Sequence, residues 1–136
     1  MSQEDKRFVI QEHTIDSDVH WDFMLELADI LQTYRLDKAP AQILHLAAGA
    51  VKIFDHPLKF LTYQGPVNKG RGNVRIIESG TYKMVHQAHP VRDSKEKVSN
   101  GAHNRIELNL NGKILKGKFT LSHIEGDNWQ FGKSNI

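Results

Sequence analysis

The feature that most constrains this chain is a two-residue period. Over residues 20–26, Trp21, Phe23 and Leu25 fall on one side, and His20, Asp22, Met24 and Glu26 on the other. That alternation marks a strand with two unlike faces. Apolar or alternating runs recur at 7–11, 51–54, 74–77, 105–110, 118–123 and 128–131. Turn-forming pairs and triplets separate them: Gly65-Pro66, Gly70-Arg71-Gly72, Ser79-Gly80, Asn111-Gly112 and Gly126-Asp127. Asn111-Gly112, between apolar runs at 106–110 and 113–115, predicts a hairpin with a type I′ turn. Helical signals are weaker, with short helices expected at 29–35 and 41–48, and the polar stretch 92–104 reads as a long loop. The expected fold is mainly β: a compact closed or nearly closed β-barrel with short flanking helices.

A chain of 136 residues has room for one ordinary core, so a single domain over 1–136 is expected. The balance of 18 Lys and Arg against 16 Asp and Glu excludes a polycation, while leaving room for a local basic groove. Cysteine is absent, which excludes disulfides, cysteine-based zinc sites, iron–sulfur clusters and thiol nucleophiles, and suits a reducing, cytoplasmic setting. No apolar run approaches the roughly 20 residues that span a bilayer. The first seven residues, Met-Ser-Gln-Glu-Asp-Lys-Arg, lack a secretory apolar stretch. No membrane association is expected.

Eight histidines are generous for this length, and Gln11-Glu12-His13 followed by His20-Trp21-Asp22 is the most informative arrangement. Two apart on a strand, His20 and Asp22 project from one face and converge on a common point, with Trp21 and Phe23 anchoring the strand from the other. His13 lies on a preceding strand or at its end, and 14–19 is long enough to turn the chain back. Two imidazoles and a carboxylate suit Mn²⁺, Fe²⁺, Co²⁺, Zn²⁺ or Ni²⁺, and open positions leave room for water or substrate. The competing reading is a polar barrel face exposed to water. Gly70-Arg71-Gly72 is not a phosphate-binding P-loop, since it lacks the Gly-Lys-Ser/Thr ending and a following helix.

Several segments, in order, resemble the 3′-phosphoesterase domain of bacterial DNA ligase D. They are Phe8-Val-Ile-Gln-Glu-His13, His20-Trp-Asp-Phe-Met-Leu-Glu26, Asp55-His-Pro-Leu-Lys-Phe60, Gly65-Pro-Val-Asn-Lys-Gly-Arg-Gly-Asn-Val74, Ser79-Gly-Thr-Tyr82, Leu115-Lys-Gly-Lys-Phe-Thr-Leu121 and Asn128-Trp129. The resemblance implies a compact β-barrel and a metal-dependent enzyme acting on DNA 3′ ends. It trims a terminal ribonucleoside to a 3′-phosphate and then removes the phosphate, using manganese or another divalent transition metal. It further implies that His13, His20 and Asp22 are metal ligands. By the same resemblance His56 contacts the phosphate, as hydrogen-bond donor or general acid, and Gln11 and Lys38 fall on functionally important positions. For His56, the competing reading is a turn residue held extended by Pro57.

Four positions depart from the family pattern. Met24 stands where an arginine two residues after the metal-binding aspartate grips phosphate, and Ala48 replaces a second arginine. Phe54 stands for an acidic residue and Phe60 for a tyrosine. The interval between His13 and His20 is one residue longer, which a turn absorbs. Losing one preorganised donor costs roughly 3–4 kcal/mol in a transition state, so a divergent substrate or a noncatalytic role enters the reading. Lys38, Arg71, Arg75 and His45 are the basic residues considered as replacements. Lys69, Arg71 and Arg75, in the glycine-rich turn and the following strand, are candidate contacts to nucleic-acid phosphates, as are Lys113, Lys116 and Lys118 near the Asn111 hairpin. The competing reading is lysine protection of strand edges.

The expectation is a stand-alone 3′-phosphoesterase that processes DNA or DNA/RNA 3′ ends in repair, working with separate ligase or repair proteins. The alternatives are a noncatalytic module binding DNA ends or a repair protein, and a metal-dependent barrel enzyme acting on a small molecule. The three ligands are expected to gather at the mouth of the barrel.

Overall fold

Two-faced strands bury their apolar sides by curling until the sheet meets itself, which removes both open edges. The computed structural model describes residues 5–87 and 105–134, and those residues form this arrangement. Its strands are β1 (Lys6–Ile15), β2 (Asp18–Leu27), β3 (Ile30–Leu36), β4 (Ala48–Pro57), β5 (Gly65–Val67), β6 (Gly72–Gln87), β7 (Arg105–Asn111), β8 (Lys116–Glu125) and β9 (Asn128–Lys133). The order is β1-β2-β3-β4-β9-β8-β7-β6-β5, and a further β1–β6 pairing closes the ring, leaving β5 as a short strand laid on β6. Every pairing is antiparallel. The barrel expectation holds.

Inside the ring lies one apolar core: Phe8, Ile10, Phe23, Leu25, Tyr34, Leu36, Leu108, Leu110, Phe119, Leu121 and Phe131 are all buried. They alternate along their strands, as the two-residue period requires. Two connections add to this core, Ile43 from the helix α1 (Pro40–Ile43) and Leu115 from the β7–β8 loop. A second, smaller cluster sits on the outer face of the sheet. Val9, Met24 and Leu31 are buried there beneath Leu58, Phe60 and Leu61 of a 3-10 turn (Leu58–Leu61), beside Ile76. Strands β1 to β3 are therefore covered on both sides over part of their length.

Three local expectations need correction. Residues 29–35 are not a helix: a two-residue turn at Ala28-Asp29, with Ala28 at φ 58°, leads into β3, and Ile30 to Leu36 pair with β2 and β4. Cross-strand pairing and the inward Tyr34 and Leu36 override the weak helical preference. The helix expected over 41–48 shrinks to Pro40–Ile43. At Asn111-Gly112 the hairpin forms, but Asn111 pairs with Lys116 across a four-residue loop, and Gly112 has no positive φ, so the turn is not type I′. The cause is Glu78, 2% exposed, whose carboxylate accepts from the amides of Lys113, Ile114 and Leu115 at 2.7–2.9 Å and holds the loop folded. The loop expected at 92–104 lies outside the described residues.

Candidate metal centre

The β1–β2 hairpin builds the centre. A tight turn at Asp16-Ser17, with Asp16 at φ 56°, sets a register in which His13 faces His20 directly and Gln11 faces Asp22. Val9, Gln11 and His13 share the face turned away from the core, as do His20, Asp22 and Met24. The centre thus stands on the outer wall near one end of the barrel, not at its mouth. Strand alternation forces this, because Phe8, Ile10 and Phe23 take the inward positions. The wall is not the water-exposed polar face of the competing reading: Asp22 is 3% exposed and His13 9%.

The spacing suits an ion. His13 Nδ1 lies 3.7 Å from Asp22 Oδ2, and His20 Nε2 lies 3.6 Å from Asp22 Oδ1. Both distances are too long for hydrogen bonds. They are close to the roughly 3.0–3.6 Å that separates neighbouring ligand atoms on one transition-metal ion. The two imidazole rings meet edge to face, with centroids 4.6 Å apart. Both ring nitrogens of His13 and Nε2 of His20 are buried without a hydrogen-bond partner. Buried polar atoms are rarely left so, and a shared cation would take one nitrogen of each ring, His13 Nδ1 and His20 Nε2 being the pair that faces Asp22. Gly72 allows this packing, since a side-chain carbon there would press to 3.2 Å from His13 Nε2.

Electrostatics favour the ligating forms. Burial, with the neighbouring His20, holds His13 below the ordinary 6.5 despite the pull of Asp22, so the neutral imidazole dominates. Burial works to raise Asp22, but His20 and Arg35 outweigh it and keep the carboxyl below its usual range. Neutral imidazole and carboxylate are the states a metal takes.

Around the triad, Gln11 is buried and donates through Nε2 to the carbonyls of Phe60 (3.0 Å) and Tyr63 (2.9 Å), tying the covering turn to β1. His56 stands on β4 beside that turn, stacked on Phe54 at 4.9 Å and met edge-on by Phe60 at 5.6 Å. Its Nδ1 lies 2.9 Å from Thr33 Oγ1, and that hydroxyl already donates to the Leu31 carbonyl. Nδ1–H is therefore the donor, and Nε2 is the nitrogen left free. Burial depresses His56 as well, against the attraction of Asp22.

The other singled-out residues scatter. Lys38 pairs with Asp37 at 3.6 Å, Arg71 with Asp16 at 3.5 Å, and Arg75 with Glu12 at 2.8 Å. Arg75 alternates with Val74 and Ile76, which puts it on the opposite face of the sheet from His13. Lys69 lies in the short turn Asn68–Gly70, two residues before Gly72. His45 lines a separate groove with Arg105, Ser122 and Lys133. Met24 is buried in the outer apolar cluster, Ala48 faces the barrel interior, and Phe54 is 71% exposed. The residue that sequence reasoning missed is Arg35. It faces Asp22 across β2 and β3, and its Nε donates to Asp22 Oδ1 at 3.2 Å. Reading 30–36 as a strand would have placed it.

A closed antiparallel barrel with a clustered His-His-Asp group on its wall defines the class: a mainly β domain whose three side chains are spaced as metal ligands would be. The chain belongs to the DNA ligase D 3′-phosphoesterase domain family, whose model matches residues 11–123. It is similar to the multifunctional non-homologous end joining protein LigD of Mycolicibacterium smegmatis, 30% identical over 128 residues, covering 90% of this chain and 16% of that protein. The multifunctional non-homologous end joining DNA repair protein LigD of Mycobacterium tuberculosis is 31% identical over 126 residues, covering 90% and 15%. A LigD of Pseudomonas aeruginosa is 28% identical over 118 residues, covering 85% and 13%. The chain thus spans about a sixth or less of the length of these relatives.

Proposed function

We propose that this chain is a single domain over 1–136 and a divalent-metal-dependent phosphoesterase acting on DNA or DNA/RNA 3′ ends. His13, His20 and Asp22 are its metal ligands, for Mn²⁺ or another divalent transition metal. The observation that carries this reading is the set of unpartnered, buried imidazole nitrogens around one buried carboxylate, in a chain of this family. A divalent ion at that position supplies Lewis-acid charge that offsets the negative charge of a phosphate ester.

The chain's own groups divide the remaining work. His56, with Nδ1 committed to Thr33, presents Nε2 to the substrate. Neutral, it takes a proton from an attacking water; protonated, it donates to a phosphate oxygen, and an approaching anion favours that form. Gln11 positions the covering turn rather than the substrate. Lys69 and Arg71, which lie just before Gly72 abutting His13, serve a nucleic-acid backbone, whereas Lys38 and Arg75 are paired with Asp37 and Glu12, Arg75 on the opposite face of the sheet from His13. Partners in this reading are DNA ends and ligase or repair proteins, in the cytoplasm. No helix among the described residues is long and apolar enough to cross a membrane.

The test is conversion of a 3′-phosphate oligonucleotide to a 3′-hydroxyl with Mn²⁺. Turnover well above an Asp22→Asn control is expected, and turnover equal to it rejects the enzyme. A noncatalytic end-binding module is the second reading, favoured by the apolar surroundings of Met24 and the aromatic flanks of His56. Salt-sensitive DNA binding without turnover would establish it, and absence of both would leave a small-molecule enzyme.

A further inference from the structure

We propose that Arg35 is the phosphate-gripping side chain of this centre, presenting to the substrate's non-bridging oxygens the terminal guanidinium nitrogens that its bond to Asp22 leaves free. This deepens the phosphoesterase reading and rests on it. Three observations carry it.

The first is how Arg35 meets Asp22. An arginine that only neutralises a carboxylate favours the two-pronged arrangement, with paired N–H groups on paired oxygens. Here Nε alone reaches Oδ1, at 3.2 Å, while Oδ2 faces His13 Nδ1 at 3.7 Å. Among the described residues that bond is the only hydrogen bond of the Arg35 side chain. One donor fixes the guanidinium against Asp22, and among the described residues the four N–H groups on the two terminal nitrogens have no partner.

The second is exposure. The Arg35 side chain is 39% exposed beside an Asp22 side chain at 4%. Its Nε is held by Asp22 while the side chain as a whole is part-exposed, which leaves it within reach of an incoming ligand.

The third is the scarcity of rivals among the described residues, Lys69 before Gly72 excepted. The next outward position along β2 from Asp22 is Met24, an apolar side chain buried with Val9 and Leu31. Lys38, Arg71 and Arg75 are engaged with Asp37, Asp16 and Glu12. The guanidinium's planar fork suits two oxygens of one phosphate, which a lysine ammonium cannot match.

The experiment titrates inorganic phosphate into Mn²⁺-loaded wild type, Arg35→Gln and Arg35→Lys by calorimetry. Mn²⁺ affinity is measured separately by electron paramagnetic resonance, and folding by circular dichroism. Arg35→Gln is expected to keep Mn²⁺ affinity near that of wild type and to lose phosphate affinity by about tenfold or more, as for a lost charged hydrogen bond. Arg35→Lys retains the charge but not the fork, and a loss of about threefold or more is expected even if the glutamine variant folds poorly. Undiminished phosphate affinity in the folded variants overturns the proposal, and so does an equal loss of Mn²⁺ and phosphate, which means that Arg35 only positions Asp22. Wild type that binds Mn²⁺ but no phosphate overturns the proposal too. If wild type takes up no Mn²⁺, or binds both ions without hydrolysing the 3′-phosphate oligonucleotide, the enzymatic reading fails on its own; in the second case the Arg35 comparison still decides the clamp.

Discussion

Asp22 has His13 on one carboxylate oxygen and His20 with Arg35 on the other, all within 3.7 Å, while only 3% of its surface meets solvent. Mn²⁺ should therefore raise the melting temperature of the wild type, and His20→Ala or Asp22→Ala should abolish the rise; scanning fluorimetry with and without the ion checks this. The histidines also set an acid limit. His13 and His56 both titrate below 6.5 in the folded protein, so the unfolded chain binds protons more readily. Stability from these groups is intact above pH 6.5 and drains away as pH falls through their folded values, Asp22 adding a further loss only below its ordinary 3.8. Urea titrations of metal-free protein should show a plateau from pH 8 to about 6.5 and a decline from there to pH 5. His20 and Asp22 were legible in the sequence because a period of two on one strand leaves no freedom about which side chains share a face. Arg35 was not, because its facing depends on the partner strands.

Elements show the same division. The β1–β2 hairpin could be read from alternation alone, whereas β3 could not: Ile30-Leu-Gln-Thr-Tyr-Arg-Leu36 becomes a strand because β2 and β4 flank it. The covering turn was invisible as well, since its tether is a side chain, Gln11, forty-nine residues from Phe60. Gln11→Ala should cost about 1–3 kcal/mol by stranding two part-buried carbonyls and should speed amide exchange near the Leu58–Leu61 turn; exchange unchanged there would refute the tether. Glu78 plays the corresponding part for the β7–β8 loop. Glu78→Ala removes the acceptor of three loop amides and should cost at least about 3 kcal/mol, read from urea midpoints.

At the scale of the whole molecule, the sequence pointed to a barrel through many short strands and glycine turns, but the order of strands and the closure came from long-range pairing. Closure has one tight point. Gly80 lies on β6 opposite Phe8, and a side-chain carbon there would collide with the Asn111 carbonyl and Gly112. Gly80→Ala should lower stability by about 1–3 kcal/mol or more, whereas alanine at Gly117, where nothing lies within 4 Å, meets only the strain of its φ of 105°. Melting curves of the two variants separate crowding from backbone preference. The centre's place on the convex wall has a consequence of its own. A cavity inside a barrel sets a ceiling on what it admits, but a site on the outside sets none: if the proposed function holds, however long the polymer behind the phosphate, it would run off tangentially into solvent. In the proposed phosphoesterase, selection among substrates would then fall to the terminus itself, at Arg35, His56 and the exposed ring of Phe54.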